Sequence, residues 1–216
     1  MSRGARISVA LVAVFVVGVV AIFLVDRSGA DAPDDAGANP SSIVVRQDSH
    51  RISPAPAGSP TFVEFLDFEC EACLSVYPAI EELRAEYGDR ISFVVRYFPM
   101  PGHFNAERAA RAVEAAAQQG KFEQMYQRMY ETQSEWGEQR IPKDDVFRGL
   151  AADLGLDMAA FEAAYTDPAT AERVAADVAD GHVLGVRGTP TFFLDGRRIE
   201  PITYGDLIDE LDSVLR

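Results

Sequence analysis

Apolar and polar positions follow several different rhythms along this chain, and each predicts a different element. From Ile7 to Val25, ISVALVAVFVVGVVAIFLV, no residue is charged. At helical rise this run crosses roughly 30 Å of hydrocarbon, which predicts a transmembrane anchor over 7–25. The segment that follows, DRSGADAPDDAGANPSS (26–42), holds no large apolar residue. It cannot bury enough surface to offset its ordering entropy and reads as a flexible linker. In TFVEFLDF (61–68) apolar residues run together, as in a strand buried on both faces. From Cys70 the period changes. Leu74, Tyr77, Ile80, Leu83 and Tyr87 recur at helical spacing, and Gly88 stands where a C-terminal cap belongs. ISFVVRYF (91–98) is the next strand, so this stretch predicts a right-handed βαβ unit with parallel strands.

Residues 104–184 keep a helical rhythm. Asn105 is placed to cap AERAARAVEAAAQQ, which stops near Gly120, and KFEQMYQRMYETQ sets Phe122, Met125, Tyr126 and Met129 on one face. Further starts fall at Ile141-Pro142, at Asp157 and at Asp167-Pro168, the last running to about Gly181. No fixed repeat period is visible, so the stretch is a helical insertion and not a solenoid. Strand chemistry returns at Thr191–Leu194, and the Asp195-Gly196 turn leads to Arg197–Glu200 as a β-hairpin. An amphipathic helix over 206–216 ends the chain, and Ser42–Arg46 is a candidate edge strand. The expected architecture is α/β: a βαβ half, a helical insertion and a ββα half, forming one domain over 43–216.

The 216 residues include 34 acidic and 20 basic side chains, a formal charge of −14. Arg3 and Arg6 are the only charges before Asp26, so the part beyond the apolar run holds 18 basic and 34 acidic residues, −16. Positive charge stays on the cytoplasmic side. Residues 1–6 are therefore expected inside, with a single-pass cell-membrane anchor and an extracytoplasmic domain. A cleaved signal peptide is the competing reading, but signal cores are usually about 7–15 residues. Either reading exports the domain. Its sign disfavours nucleic acid as a partner.

Only two cysteines occur, Cys70 and Cys73, in Cys70-Glu71-Ala72-Cys73 where a strand gives way to a helix. A metal clip lacks ligands, since only His50, His103 and His182 could supplement the pair and none has ligand spacing to another. A structural disulfide here closes a loop of only about four residues, which restricts the unfolded chain little. A redox pair fits better. Backbone N–H groups and the helix dipole favour a thiolate at Cys70, while Cys73, one turn further in, can resolve a mixed disulfide.

These residues resemble the DsbA-like branch of the thioredoxin superfamily, over about residues 60–216. Cys-x-x-Cys opens a helix after FVEFLDF, Pro78 lies where active-site helices of this superfamily often carry a proline, and Thr189-Pro190 precedes TFFL where the family has its cis-proline. The resemblance implies a thioredoxin-like fold with a helical insertion. It also implies thiol–disulfide oxidoreductase activity with no cofactor beyond a redox-active Cys70–Cys73 disulfide. Partners would be exported polypeptide substrates and a membrane redox partner that re-oxidises or reduces the pair. Thr189 and Pro190 would bind substrate backbone like an added strand. Glu64, at the family's buried-acid position, could relay the proton of Cys73, or it could be a partly solvated strand residue. An extracytoplasmic reductase and a redox-inert binding or chaperone module remain the alternatives.

The family's strong oxidants usually place Pro-His between the cysteines, whereas here the pair encloses Glu-Ala and follows Glu69. Glu69 and Glu71 are expected to disfavour the Cys70 thiolate, which would set the potential between thioredoxin and the strongest oxidants. His103, in MPGHF after the second strand, reads first as a loop histidine without a site role, with an approach to the site that offsets those glutamates as the alternative; His182 reads as charge complementarity at a helix end, and Trp136 as packing.

Overall fold

Residues 43–53 and 55–216 are described by a computed structural model; the tail, anchor and linker expected over 1–42 lie outside the described residues. The two apolar runs are β2 (Thr61–Leu66) and β3 (Ser92–Tyr97), paired in parallel from Thr61↔Ser92 to Leu66↔Tyr97. Helix α1 (Glu71–Tyr87) connects them. Before them, β1 (His50–Arg51) adds antiparallel to β3, and β4 (Thr191–Leu194) and β5 (Arg197–Ile199) extend the other side. The order is β1-β3-β2-β4-β5. Both sheet faces are buried, as the continuous apolar runs require. Phe62, Leu66, Phe93, Val95, Phe192 and Leu194 pack into the larger core. Val63, Phe65, Val94 and Phe193 fill a smaller one on the opposite face.

Between β3 and β4 lie α2 (Ala106–Ala117), α3 (Phe122–Trp136), α4 (Asp144–Asp153), α5 (Met158–Thr166) and α6 (Pro168–Val183). Asp157 and Asp167 cap α5 and α6 through their carboxylates, and Pro168 takes the first turn of α6. The hairpin turn has positive φ at both central residues, 50° at Asp195 and 81° at Gly196, the twist-matched form. Helix α7 (Tyr204–Ser213) begins slightly earlier than the apolar pattern suggests, because Thr203 and Asp206 close a capping box. Among the described residues, no helix is long and apolar enough to cross a membrane.

Two expectations need correction. The edge strand is His50–Arg51, and the described part of the expected one, 43–46, is no strand: Ile43 and Val44 are helical, and both their carbonyls accept from Arg96 Nη1 at 2.7 Å, so they are not free for a ladder. Asn105 stands at the start of α2 but makes no side-chain cap. Its amide instead donates to Gln139 O and Ile141 O and accepts from Lys143 N, tying the α3–α4 loop to α2. Gly88 does end α1, but with φ −65° it needs no left-handed freedom. It is glycine for want of space, since a Cβ there would lie 2.4 Å from Arg84 O and 3.2 Å from Ser53 Cβ.

Arg96 of β3 is fully buried and donates to Asp177 at 2.8 Å and Asp180 at 2.6 Å, both on α6. Arg173 also meets Asp177, at 2.6 Å. A buried charge is tolerable only when so completely paired. The network fixes α6, and with it the loop that leads to Thr189.

Replacing Gly88 by alanine forces backbone apart at the end of α1. Gly88→Ala is expected to cost about 1–3 kcal/mol, seen as a lower urea midpoint at unchanged slope. An unchanged midpoint would show that the turn yields without cost.

Candidate functional site

Cys70 is the N-cap residue of α1, with extended backbone (φ −74°, ψ 122°) and no side-chain cap of its own. Its N–H closes a turn onto Asp67 O at 3.1 Å, and its carbonyl accepts from Leu74 N and from Gln133 Nε2, both at 3.1 Å. Gln133 comes from α3 and also donates to Phe68 O at 2.7 Å, so the helical insertion grips the turn from one side. Cys70 is 9% exposed, and its thiol donates to Thr189 O at 3.4 Å. Cys73, one turn further along α1, has no exposed surface. The two sulfurs are not bonded to each other.

Their acidities are driven apart. The Cys73 thiol, first, holds Cys70 down to about 5. Burial opposes this, and Thr189 with the backbone N–H groups of Cys73 and Ala72 adds to it. These are the helix-end donors that stabilise an anion. Burial pushes Cys73 far upward, with the Cys70 thiolate and the charge of Glu64 acting the same way. The Thr189 hydroxyl is buried without a partner among the described residues. Thiolate formation would supply one.

The Thr189–Pro190 bond is cis and runs into β4, whose pairing with β2 brings the loop to Cys70. Glu64 sits on β2 between Phe62 and Leu66, opposite Val95 and Phe192. It is 4% exposed, so it is not a solvated strand residue. Burial, then the charges of Glu81 and Cys70, raise its carboxyl to about 8. The structure thus brings together Cys70, Cys73, Glu64, Thr189 and Pro190.

The expected repulsion from Glu69 and Glu71 does not hold the thiol up. Glu71 is exposed, and the buried Glu69 carboxylate accepts from Asn105 N at 2.6 Å and Glu138 N at 3.1 Å. Its charge is spent on backbone donors. Sequence reading missed Asp67 and His103 as partners. The buried Asp67 carboxylate accepts from Glu69 N, Met100 N and His103 Nδ1 at 2.8, 2.9 and 2.5 Å. The one signal was His103 in the loop following the second strand, with nothing local to pair it with Asp67. Trp136 is buried against Phe147, and His182 meets the edge of Phe98 in the last turn of α6. Among the described residues, no group of three His, Cys, Asp or Glu is placed to hold a metal ion.

A family model described as Thioredoxin matches residues 50–213. The Na(+)/H(+) antiporter NhaA of Herminiimonas arsenicoxydans is 40% identical over 139 residues, covering 64% of this chain. This chain spans only 21% of that relative's length. Among solved structures, a thioredoxin-like oxidoreductase from Silicibacter pomeroyi DSS-3 superposes with a TM-score of 0.68 at 25% identity, covering 82% of this chain and 97% of that one. The thiol-disulfide exchange protein alpha-DsbA2 from Wolbachia pipientis gives 0.66 at 22% identity, covering 80% and 90%. The chain belongs to the thioredoxin family, and its fold is that of the DsbA-like thiol–disulfide oxidoreductases.

Proposed function

We propose that this protein is an extracytoplasmic thiol–disulfide oxidoreductase, tethered by residues 7–25, that forms or exchanges disulfides in exported polypeptides. One observation carries the reading: two thiols a single turn apart, one poised near pH 5 at the mouth of α1 and the other sealed and hard to ionise. An inert disulfide has no need of such a split.

In the oxidised form, a substrate thiolate attacks Cys70 Sγ. The Cys70–Cys73 bond breaks, its electron pair leaves with Cys73, and a mixed disulfide forms. A Cys73 thiolate in that environment needs a proton. Glu64, still protonated at neutral pH, holds one close enough for its charge to act on Cys73. A second substrate thiolate then attacks the substrate sulfur of the mixed disulfide, and Cys70 leaves as the stable thiolate. Two electrons have passed from substrate to the dithiol, and a membrane redox partner removes them. Thr189 and Pro190 would align the substrate backbone as an added strand.

A thiol that ionises readily both leaves easily and stabilises the reduced form, which favours disulfide formation over reduction. A value of about 5 lies between about 7 for thioredoxin and about 3.5 for the strongest oxidant. The potential should fall between theirs as well.

Cys73→Ala keeps the nucleophile and removes the resolving thiol, so it should accumulate covalent complexes with thiol-bearing clients, visible on non-reducing gels and lost with reductant. A folded Cys73→Ala variant that captures nothing would sink the exchange reading. A second test concerns Glu64. Folded, it keeps its proton to about pH 8, whereas unfolded it releases it near 4.5. The folded state therefore binds more protons between those values, and stability falls as pH rises across them, by up to about 1.4 kcal/mol per pH unit. Burial, the largest cause, persists in the disulfide form, where neither thiol titrates. Urea titrations of oxidised protein should show this slope, and Glu64→Gln should flatten it. Parallel slopes in the two proteins would remove Glu64 as a proton store.

A further inference from the structure

We propose that His103 is a positioning residue for the dithiol: gripped by the buried Asp67 carboxylate, its imidazolium serves as the counter-charge to the Cys70 thiolate and fixes the turn that carries it. This rests on the exchange reading above and adds to it a residue on a different loop, 36 positions from Asp67.

Asp67 joins two loops. Its backbone carbonyl accepts the Cys70 N–H, and its carboxylate accepts Glu69 N from the same turn. The other carboxylate oxygen takes Met100 N and His103 Nδ1 from the loop between β3 and α2. The Asp67 side chain has no exposed surface, so burial drives its carboxyl upward and the bonded donors offset that. A carboxylate so placed, three residues from a nucleophilic sulfur, would oppose the thiolate if it stood alone. With a protonated His103 the pair is neutral, and the positive partner is the member that reaches solvent, at 29% exposure.

Burial pulls the His103 pKa down, but Asp67, then the charge of Cys70, then that of Glu69 outweigh it, and the net shift is upward. The other charged groups that share a cleft with His103 are Glu69, Glu138 and Arg140 in a small one, and Glu107, Arg108 and Glu172 in another of about 570 Å³. Among the described residues, only Asp67 bonds the ring, and Glu69 is already engaged by two backbone N–H groups.

Coupling between two charges is reciprocal: whatever His103 does for the thiolate, the thiolate does for His103. Proton NMR titration of the full chain should therefore give a higher His103 pKa in the dithiol form than in the disulfide form. His103→Gln should raise the Cys70 pKa, read from thiolate absorbance, by about half to one pH unit, the size left after solvent screens a partly exposed charge. The glutathione equilibrium should shift about threefold to tenfold toward the disulfide, about 15–30 mV. His103→Lys should restore both. Equal His103 pKa values in the two redox states overturn the proposal, whatever the variants do. So does a His103→Gln protein whose thermal midpoint falls while its thiolate titration stays put, which would make the contact structural only. These readings use glutathione and pH alone, so they stand apart from whether Cys73→Ala captures a client.

Discussion

Two sulfur atoms a single turn apart on one helix cannot share an environment when the helix begins at the surface and runs into a core. Cys70 occupies the cap position, where unpaired N–H groups converge, and Cys73 is carried inward against the sheet. Each pKa unit between them corresponds to about 1.4 kcal/mol of differential stabilisation. Cys70 is driven down and Cys73 up, so the two environments act on the sulfurs in opposite senses. Sealing one thiol and leaving the other at the mouth requires that the first turn of α1 stay in place. Much of the surrounding polar structure is explained by that demand.

The turn is held from several sides. Gln133 of α3 takes the carbonyls of Phe68 and Cys70, while Asp67 takes the N–H groups of Glu69 and Cys70 through its side chain and backbone. Glu69 reaches outward to the backbone of Asn105 and Glu138, and Asn105 passes the connection on to Lys143. The helical insertion thus does more than cover the sheet, because its loops are wired to the residues flanking the cysteine. On the opposite face, Arg96 locks α6 to β3, and α6 passes close enough to the sheet that a Cβ on Gly181 would stand 2.7 Å from Phe98. That anchoring sets where the chain emerges toward Thr189. Both walls of the site are built on buried ionic or hydrogen-bonded groups, which are costly to disturb one partner at a time.

Features that depend on neighbours in sequence were legible in the sequence. The runs of β2 and β3, the period of α1, the aspartate caps of α5 and α6 and the Asp195-Gly196 turn are each decided within a few residues. The cysteine pair stood out as well, because two thiols so close together are unusual, whereas the cis bond at Thr189-Pro190 was expected only through the family resemblance. Failures came where a distant partner decides. Ile43 and Val44 look like strand, but their carbonyls belong to Arg96. Asn105 looks like a cap until three backbone groups at 139–143 claim its amide. Gly88 is legible as the end of its helix, while the crowding that demands glycine there is not, since part of it comes from Ser53. Glu69 was given the right charge but the wrong target, and the Asp67–His103 pair spans two loops that no local pattern connects.

The acidity of Cys70 also settles a contest between range and strength. The part of the chain beyond the apolar run carries a formal −16, and by sign alone such a field opposes a thiolate. Salt screens exposed charges beyond about 8–10 Å, so most of those carboxylates act weakly on this sulfur. The groups that favour the anion lie inside that radius: the Cys73 thiol, Thr189 and the first N–H groups of α1. At about 4 Å and an effective dielectric near 20, one full charge is worth about 4 kcal/mol, and a few partial charges in contact rival it. Short-range dipoles therefore win over net charge at the sulfur. Net charge of this sign acts at longer range instead: it slows the approach of any polypeptide of like sign and speeds that of a basic one, less so as salt rises.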